Sequence, residues 1–164
     1  MHNKKCTKKY KGESKGFTLI EILVVIGIIA VLAAVVLVAI NPNRQFKLAR
    51  DSQRVSNVES ILNAIDQNIA EHGGVFTCGS TTKALPVSTS TIASPNLVPT
   101  AGFDIAGCLV PAYISALPFD PTGGSYLYTS ELNYDTGYLI SQDANGRITV
   151  GANGEITPFI SVTR

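Results

Sequence analysis

The sequence predicts an α+β fold: a long N-terminal helix, one half apolar enough for a bilayer and the other amphipathic, packed on a small C-terminal antiparallel sheet. Three observations predict it. Residues 22–40 carry no charge. Apolar residues then recur at helical intervals from Leu48 to Ile69, and strand-like stretches separated by Asn-Gly pairs fill the C-terminal end.

Composition bounds the answer. The chain has 164 residues, a net charge of +1, 45% hydrophobic residues and 15% charged ones, against about 25% charged in a typical soluble domain. The length suits one ordinary domain. Residues 1–16 hold six Lys against one Glu, and residues 17–164 hold seven Lys and Arg against eleven Asp and Glu. No basic globular surface suggests a nucleic-acid partner, and the composition is neither collagen-like nor disordered. A run as apolar as 22–40 must be buried somewhere, which argues against a freely soluble cytosolic enzyme.

As a helix rising about 1.5 Å per residue, 22–40 spans roughly 29 Å, the thickness of a hydrocarbon core. Its β-branched residues favour a strand in water, but in lipid every backbone group must be satisfied within the segment, which selects helix. A buried core helix is the competing reading, and the rest of the chain is too small to wrap one. A secretory signal has a shorter apolar stretch followed by a small-residue cleavage site. Here Glu21 stands near the start of the run and the small residue, Gly16, precedes it. The upstream Lys residues favour a cytoplasmic N-terminus. Arg44, Lys47, Arg50 and Arg54 narrow the margin, yet everything after about Pro42 is expected outside the cytoplasmic membrane.

Lys15-Gly16-Phe17-Thr18-Leu19-Ile20-Glu21, leading into Ile22-Leu23-Val24-Val25-Ile26-Gly27-Ile28-Ile29-Ala30, resembles the prepilin signature of the type IV pilin and type II secretion pseudopilin superfamily. The resemblance is close from Lys15 to about Gly73 and loose beyond. It implies a leader over residues 1–16, cut at Gly16–Phe17 by a membrane-embedded prepilin peptidase, and N-methylation of Phe17. It further implies that Glu21 neutralises the Phe17 amine of a neighbouring subunit during assembly. The physics of Glu21 points the same way: an acid at mid-bilayer costs on the order of 2.5–3.5 kcal/mol, which a cationic partner offsets. A second reading stays open, in which Glu21 lies near the interface and reaches headgroup water. Gly27, Ala30 and Ala34 share a helical face, where small residues let helices approach closely in lipid.

At Asn41-Pro42-Asn43 the missing proline donor predicts a kink or break. A fresh helix starting at Pro42 would place the cations at 44, 47, 50 and 54 against a positive helix start. A single kinked helix is therefore expected, with an apolar half over 17–41 and an amphipathic half over 42–74. Leu48, Val55, Val58, Ile61 or Leu62, Ile65 and Ile69 form the inner stripe of that second half, and Gly73-Gly74 ends it. Arg50, Asp51, Arg54, Glu59, Asp66 and Glu71 are expected on its polar side, either solvated or in subunit contacts of a filament.

Residues 75–164 form the expected extracytoplasmic head. Residues 75–119 read as loop with one short strand or turn. Cys78 and Cys108 flank that region and are expected to pair in an oxidising compartment, closing a loop of about 31 residues worth roughly 3–4 kcal/mol; two free buried thiols are the alternative. Cys6 falls in the leader. Strands are expected over 125–130, 137–142, 147–150 and 155–160, with tight hairpins at Asn145-Gly146 and Asn153-Gly154. Asp143-Ala144-Asn145-Gly146 begins like a calcium loop, but Arg147 and the missing closing Glu break the EF-hand pattern. His2 lies in the leader, and His72 reads as a cation near a helix end. No metal, no cofactor and no catalytic constellation is expected.

Together these readings imply a precursor anchored by one span with its N-terminus in the cytoplasm. It is expected to mature into a homo-oligomeric helical filament, extracellular or periplasmic, with prepilin peptidase and a membrane-embedded assembly platform as partners. A pseudopilin of a type II secretion or DNA-uptake system is the nearest alternative. A single-pass anchored binding module and a tethered enzyme are more distant ones.

Overall fold

The computed structural model describes residues 16–98 and 102–164. The leader expectation, with its Lys residues, His2 and Cys6, falls on residues 1–15 and lies outside the described residues, except for Gly16. The chain divides at Pro42/Asn43 into two compact units.

In the first unit, helix α1 (Leu19–Ile40) contains the expected uncharged run. Thr18 is its N-cap, with Glu21 reaching back from the third helical position. No residue of α1 is buried, and among the described residues it is the one helix long and apolar enough to cross a membrane. The expected single kinked helix is corrected. α1 stops at Ile40, Asn41 adopts the left-handed conformation (φ 47°, ψ 80°), and α2 (Pro42–Glu71) begins afresh. Helical geometry is disfavoured for the residue before a proline, and Asn is among the few side chains that tolerate positive φ. The proline then sits where its missing N–H is no loss.

The second unit is built on α2. Val58, Ile61, Leu62 and Ile65 are fully buried, each worth about 1.5–3 kcal/mol of apolar burial. They pack in one core with Tyr134, Tyr138, Ile140, Val150, Ala152 and Ile160 of the sheet. α2 ends where Gly73 (φ 68°) and Gly74 (φ 96°) turn left-handed, and the Gly74 amide donates to the Ile69 carbonyl at 2.9 Å. That bond marks a Schellman-type ending.

Beyond α2 the chain forms β1 (Thr77–Cys78), β2 (Thr81–Thr82), β3 (Ser90–Ala93), β4 (Gly102–Phe103) and the short α3 (Ala106–Leu109). It continues as β5 (Leu127–Ser130), β6 (Asn133–Gln142), β7 (Ile148–Asn153) and β8 (Phe159–Thr163). The expected C-terminal meander is present as β5–β6–β7–β8, all antiparallel. The region expected to be mostly loop adds two strands to it: β3 pairs antiparallel with β6, and β4 runs parallel to β3. Both are too short and too rich in Ser, Thr and Gly to show a period of two.

β6 is longer than expected and organises the sheet. One edge takes β3; the other takes β5 near Asp135 and β7 from Leu139 onward. Gly137 stands at the changeover with φ 72°, and a side chain there would collide with the Tyr126 ring. The hairpin at Asn145-Gly146 turns tightly, the Gly146 amide donating to the Asp143 carbonyl at 3.0 Å, whereas the tight hairpin expected at Asn153-Gly154 is corrected. Residues 143–147 and 154–158 make five-residue connections, and β8 lies about four residues later than expected. In the first connection the Asp143 carboxylate accepts the amides of Asn145 and Arg147, both at 2.9 Å, which pins the turn from within. In the second, a side chain from α2 replaces the turn's own hydrogen bonds.

Candidate functional site

The prepilin-like signature occupies the start of α1. Phe17 is 80% exposed, and the Glu21 amide donates to Thr18 Oγ1 at 3.3 Å while the Thr18 amide reaches the Glu21 carboxylate at 3.5 Å. This reciprocal box holds the acid against the first turn, three residues from Thr18 and four from Phe17, where the open amides of a helix start favour negative charge. An amine created at Phe17 would compete for the same carboxylate. Gly27, Ala30 and Ala34 are all exposed, so the small-residue face is open along α1.

A second group of residues ties the base of α2 to two distant loops, and sequence reasoning assigned its α2 charges to the polar side. Asp51 and Arg54 are buried, Arg54 at 2% exposure. Arg54 makes a two-pronged contact with Asp120, Nε to Oδ2 at 2.7 Å and Nη2 to Oδ1 at 3.0 Å, and also donates to Asp51 Oδ1 at 2.7 Å. Asp51 in turn accepts the consecutive backbone amides of Glu155, Ile156 and Thr157 at 2.8, 2.9 and 3.0 Å. The loop between β7 and β8 is therefore wrapped around a carboxylate supplied by α2. Glu155 closes the circuit on Arg50, with Nη2 to Oε2 at 2.7 Å. Asn57 extends it inward, donating to the Tyr138 hydroxyl at 2.7 Å.

The electrostatics follow from these contacts. Burial pushes the Asp51 carboxyl up, but the three amides and Arg54 outweigh it and hold the group well below the usual carboxylate range. Asp120 shows the same balance, raised by burial and lowered further by Arg54 and Thr122. The bond to Asp120 holds the Arg54 guanidinium charged against the cost of its burial. A signal for this network exists in the sequence: positions 51 and 54 continue the inner stripe of 58, 61 and 65 backwards at the same spacing. Charge argued them outward, whereas their periodicity placed them inward.

The same stripe runs on to Asn68, also missed. Its amide donates to the Thr77 carbonyl at 3.0 Å and its oxygen accepts the Thr77 amide at 2.9 Å. A longer bond reaches the Cys108 carbonyl at 3.4 Å. Cys78 and Cys108 are joined in a disulfide linking β1 to α3, so one buried side chain of α2 grips both segments that the bond connects. His72 donates from Nδ1 to the Asn68 carbonyl at 2.7 Å. Among the described residues no group of three His, Cys, Asp or Glu side chains could hold a metal ion. The Asp143 carboxylate is engaged by its own turn and by Arg147 Nε at 2.7 Å.

An unburied apolar helix opened by this signature, and a head in which a sheet covers one face of a second helix, define the class of helix-plus-head subunits with an N-terminal membrane anchor. Comparison with known proteins agrees. Residues 13–37 match the model of the prokaryotic N-terminal methylation motif. The chain is 30% identical to the type II secretion system core protein G of Escherichia coli (strain K12) over 145 residues, 88% of this chain and 90% of that protein. It is 34% identical to prepilin peptidase-dependent protein D of the same organism over 79 residues, and there it spans only about half of either chain, 48% and 53%. No solved structure matches. The chain belongs to the pilin and pseudopilin superfamily, a family of structural subunits.

Proposed function

We propose that this chain is a structural subunit of a pilin-type helical filament, made as a precursor and assembled from the cytoplasmic membrane. Prepilin peptidase cuts Gly16–Phe17, Phe17 becomes the methylated N-terminus, and Glu21 leaves its local box with Thr18 to neutralise the Phe17 amine of a neighbouring copy. α1 then passes from lipid into a bundle of identical helices on a membrane-embedded platform. Transfer from lipid to protein gains little from water exclusion, so close packing at Gly27, Ala30 and Ala34 and the Glu21–amine pair carry the association. The observation that supports this reading most strongly is the absence of any buried residue along an α1 that opens with the signature.

Two filament types share this design: a long type IV pilus and the short pseudopilus of a type II secretion or DNA-uptake machine. Similarity across nine-tenths of core protein G favours the pseudopilus. The subunit carries no chemistry of its own in either, and its head lies outside the cytoplasmic membrane, periplasmic or extracellular once assembled.

Mass spectrometry of the mature N-terminus, with electron microscopy of sheared cell-surface material, tests the proposal. A methylated Phe17 and fibres that vanish in a correctly processed Glu21→Ala variant are expected. An intact Met1 end would return the chain to a plain anchored module or a tethered enzyme, and normal fibres from the variant would remove Glu21 from assembly.

A further inference from the structure

The first turns of α2 are exposed. Residues 43–47 are all exposed, Phe46 at 62%, and burial begins only with Leu48 and Arg50. No acid falls between Glu21 and Asp51, while Arg44, Lys47 and Arg50 lie close together after the span. Arg50 is engaged with Glu155. From Asp51 to the C-terminus the balance reverses, with four Lys and Arg against ten Asp and Glu, a net charge of −6. A head of that sign is repelled by an anionic bilayer, and in the sequence the cations fall between it and the span.

We infer that Arg44, Phe46 and Lys47 form a collar that docks in the headgroup layer of the outer leaflet before assembly, the cations on lipid phosphates and Phe46 in the interface, with anionic phospholipid as the preferred surface. The inference rests on the reading of α1 as a membrane span. Its geometry is one of reach. Lys47 is seven residues beyond Ile40, one of them the non-helical Asn41, so it lies at most about 15 Å of chain away, and the headgroup zone on each side of the hydrocarbon is roughly 5–7 Å deep. Long cationic stems bend back across the remainder. Chain connectivity therefore delivers these side chains to the phosphates in a single unassembled copy, whereas contact with a second copy requires the filament. Positions 44 and 47 lie on one side of the helix and 46 on the other, so the collar surrounds the chain where it leaves the bilayer. An aromatic ring between cations at that depth suits the amphipathic interface. Each cation at an anionic surface is worth about a fivefold preference. Entry into a filament then requires that these contacts be given up.

The test uses the full chain at one copy per nanodisc, in phosphatidylcholine alone or mixed with phosphatidylglycerol. The sequence has no Trp, so Phe46→Trp supplies a single reporter. Its emission is expected to be blue-shifted and quenched by lipids brominated close to the headgroup, more strongly with phosphatidylglycerol. Arg44→Gln with Lys47→Gln should reduce that docking about fivefold per residue, and reversal of both charges to Glu should reduce it further. Val87→Trp, on the exposed head, should stay water-like, and the near-ultraviolet dichroism of the tyrosines should show an unchanged fold. Leu32→Trp, quenched by deep bromines, reports separately that α1 spans. Water-like emission from Phe46→Trp beside a quenched Leu32→Trp overturns the collar and leaves the anchor intact. A shift seen only with two or more copies per disc, or one indifferent to lipid charge and charge reversal, also overturns it. An unquenched Leu32→Trp would overturn the span on which the collar depends.

Discussion

α1 and α2 are neighbours in sequence and opposites in chemistry. α1 carries a single ionisable residue and buries nothing. α2 carries charges along much of its length and buries an arginine, two asparagines and an aspartate beside its aliphatic stripe. Beyond the box between Thr18 and Glu21, the needs of α1 are met by backbone hydrogen bonds, which leaves its apolar side-chain surface available to lipid or to copies of itself. α2 spends its inner face on one head. Polarity along the chain therefore separates the part that associates from the part that folds, and Asn41 with its left-handed backbone lies between them.

The comparison is sharpened most by Arg54→Ala. It would leave Asp51 and Asp120 as buried charges without their counter-ion, at a cost of about 3–5 kcal/mol. Urea unfolding of the detergent-solubilised chain, followed by tyrosine dichroism, should show the midpoint fall steeply. A change confined to a few tenths of a kcal/mol would mean that the ion network is ornamental.

Reduction of the disulfide, or Cys78→Ser with Cys108→Ser, should cost slightly less, roughly 3–4 kcal/mol from the loop it closes. The Asn68 bonds to Thr77 should still hold β1 against α2, so the loss is expected in unfolding free energy rather than in secondary structure. Far-ultraviolet dichroism of the reduced protein in the absence of denaturant checks this.

Acid should act next. Asp51 and Asp120 are held below their ordinary range in the fold, whereas unfolded aspartates titrate near about 3.9. As pH falls, the unfolded chain takes up protons first. The stability from these groups is therefore complete above about pH 5 and is lost as the pH drops through 4 towards their folded values, on the order of 2 kcal/mol or more for Asp51. Asp51→Asn should flatten the fall of unfolding free energy between about pH 5 and pH 2, and an unchanged slope would remove Asp51 as its source.

The smallest expected effect belongs to α1. Leu32 is 61% exposed, so Leu32→Ala creates no cavity and should leave the unfolding midpoint of the head unchanged, although the same deletion in a core costs about 2–5 kcal/mol. Ile61→Ala, at a position with no exposure, is the matched control and should show that full cost. A destabilised head in the Leu32→Ala variant would break the division between the two helices.

The parts that were legible in the sequence are those governed by local rules. An uncharged run of bilayer length, a capping Thr with Glu three residues on, apolar spacing near 3.6 and a Gly-Gly stop each act within a few residues. For that reason α1, the inner stripe of α2 and the order of the last four strands could be read directly. β3 and β4 could not, because a two- to four-residue strand rich in Ser, Thr and Gly exists only by pairing with partners far along the chain. Nor could the true length of the connection at 154–158. Asn153-Gly154 suits a two-residue turn, yet three amides of that loop find a better acceptor in Asp51, about a hundred residues upstream.

By itself, the sequence determined which segment must leave water, where its helix begins, and which face of α2 is apolar, since each follows from side-chain solvation along a regular backbone. Only the tertiary structure decided that Asp51, Arg54 and Asn68 lie inside. A buried polar group is tolerated only when its partners converge on it from elsewhere, and here those partners come from two distant loops, from β1 and from α3, whose meeting no local pattern records.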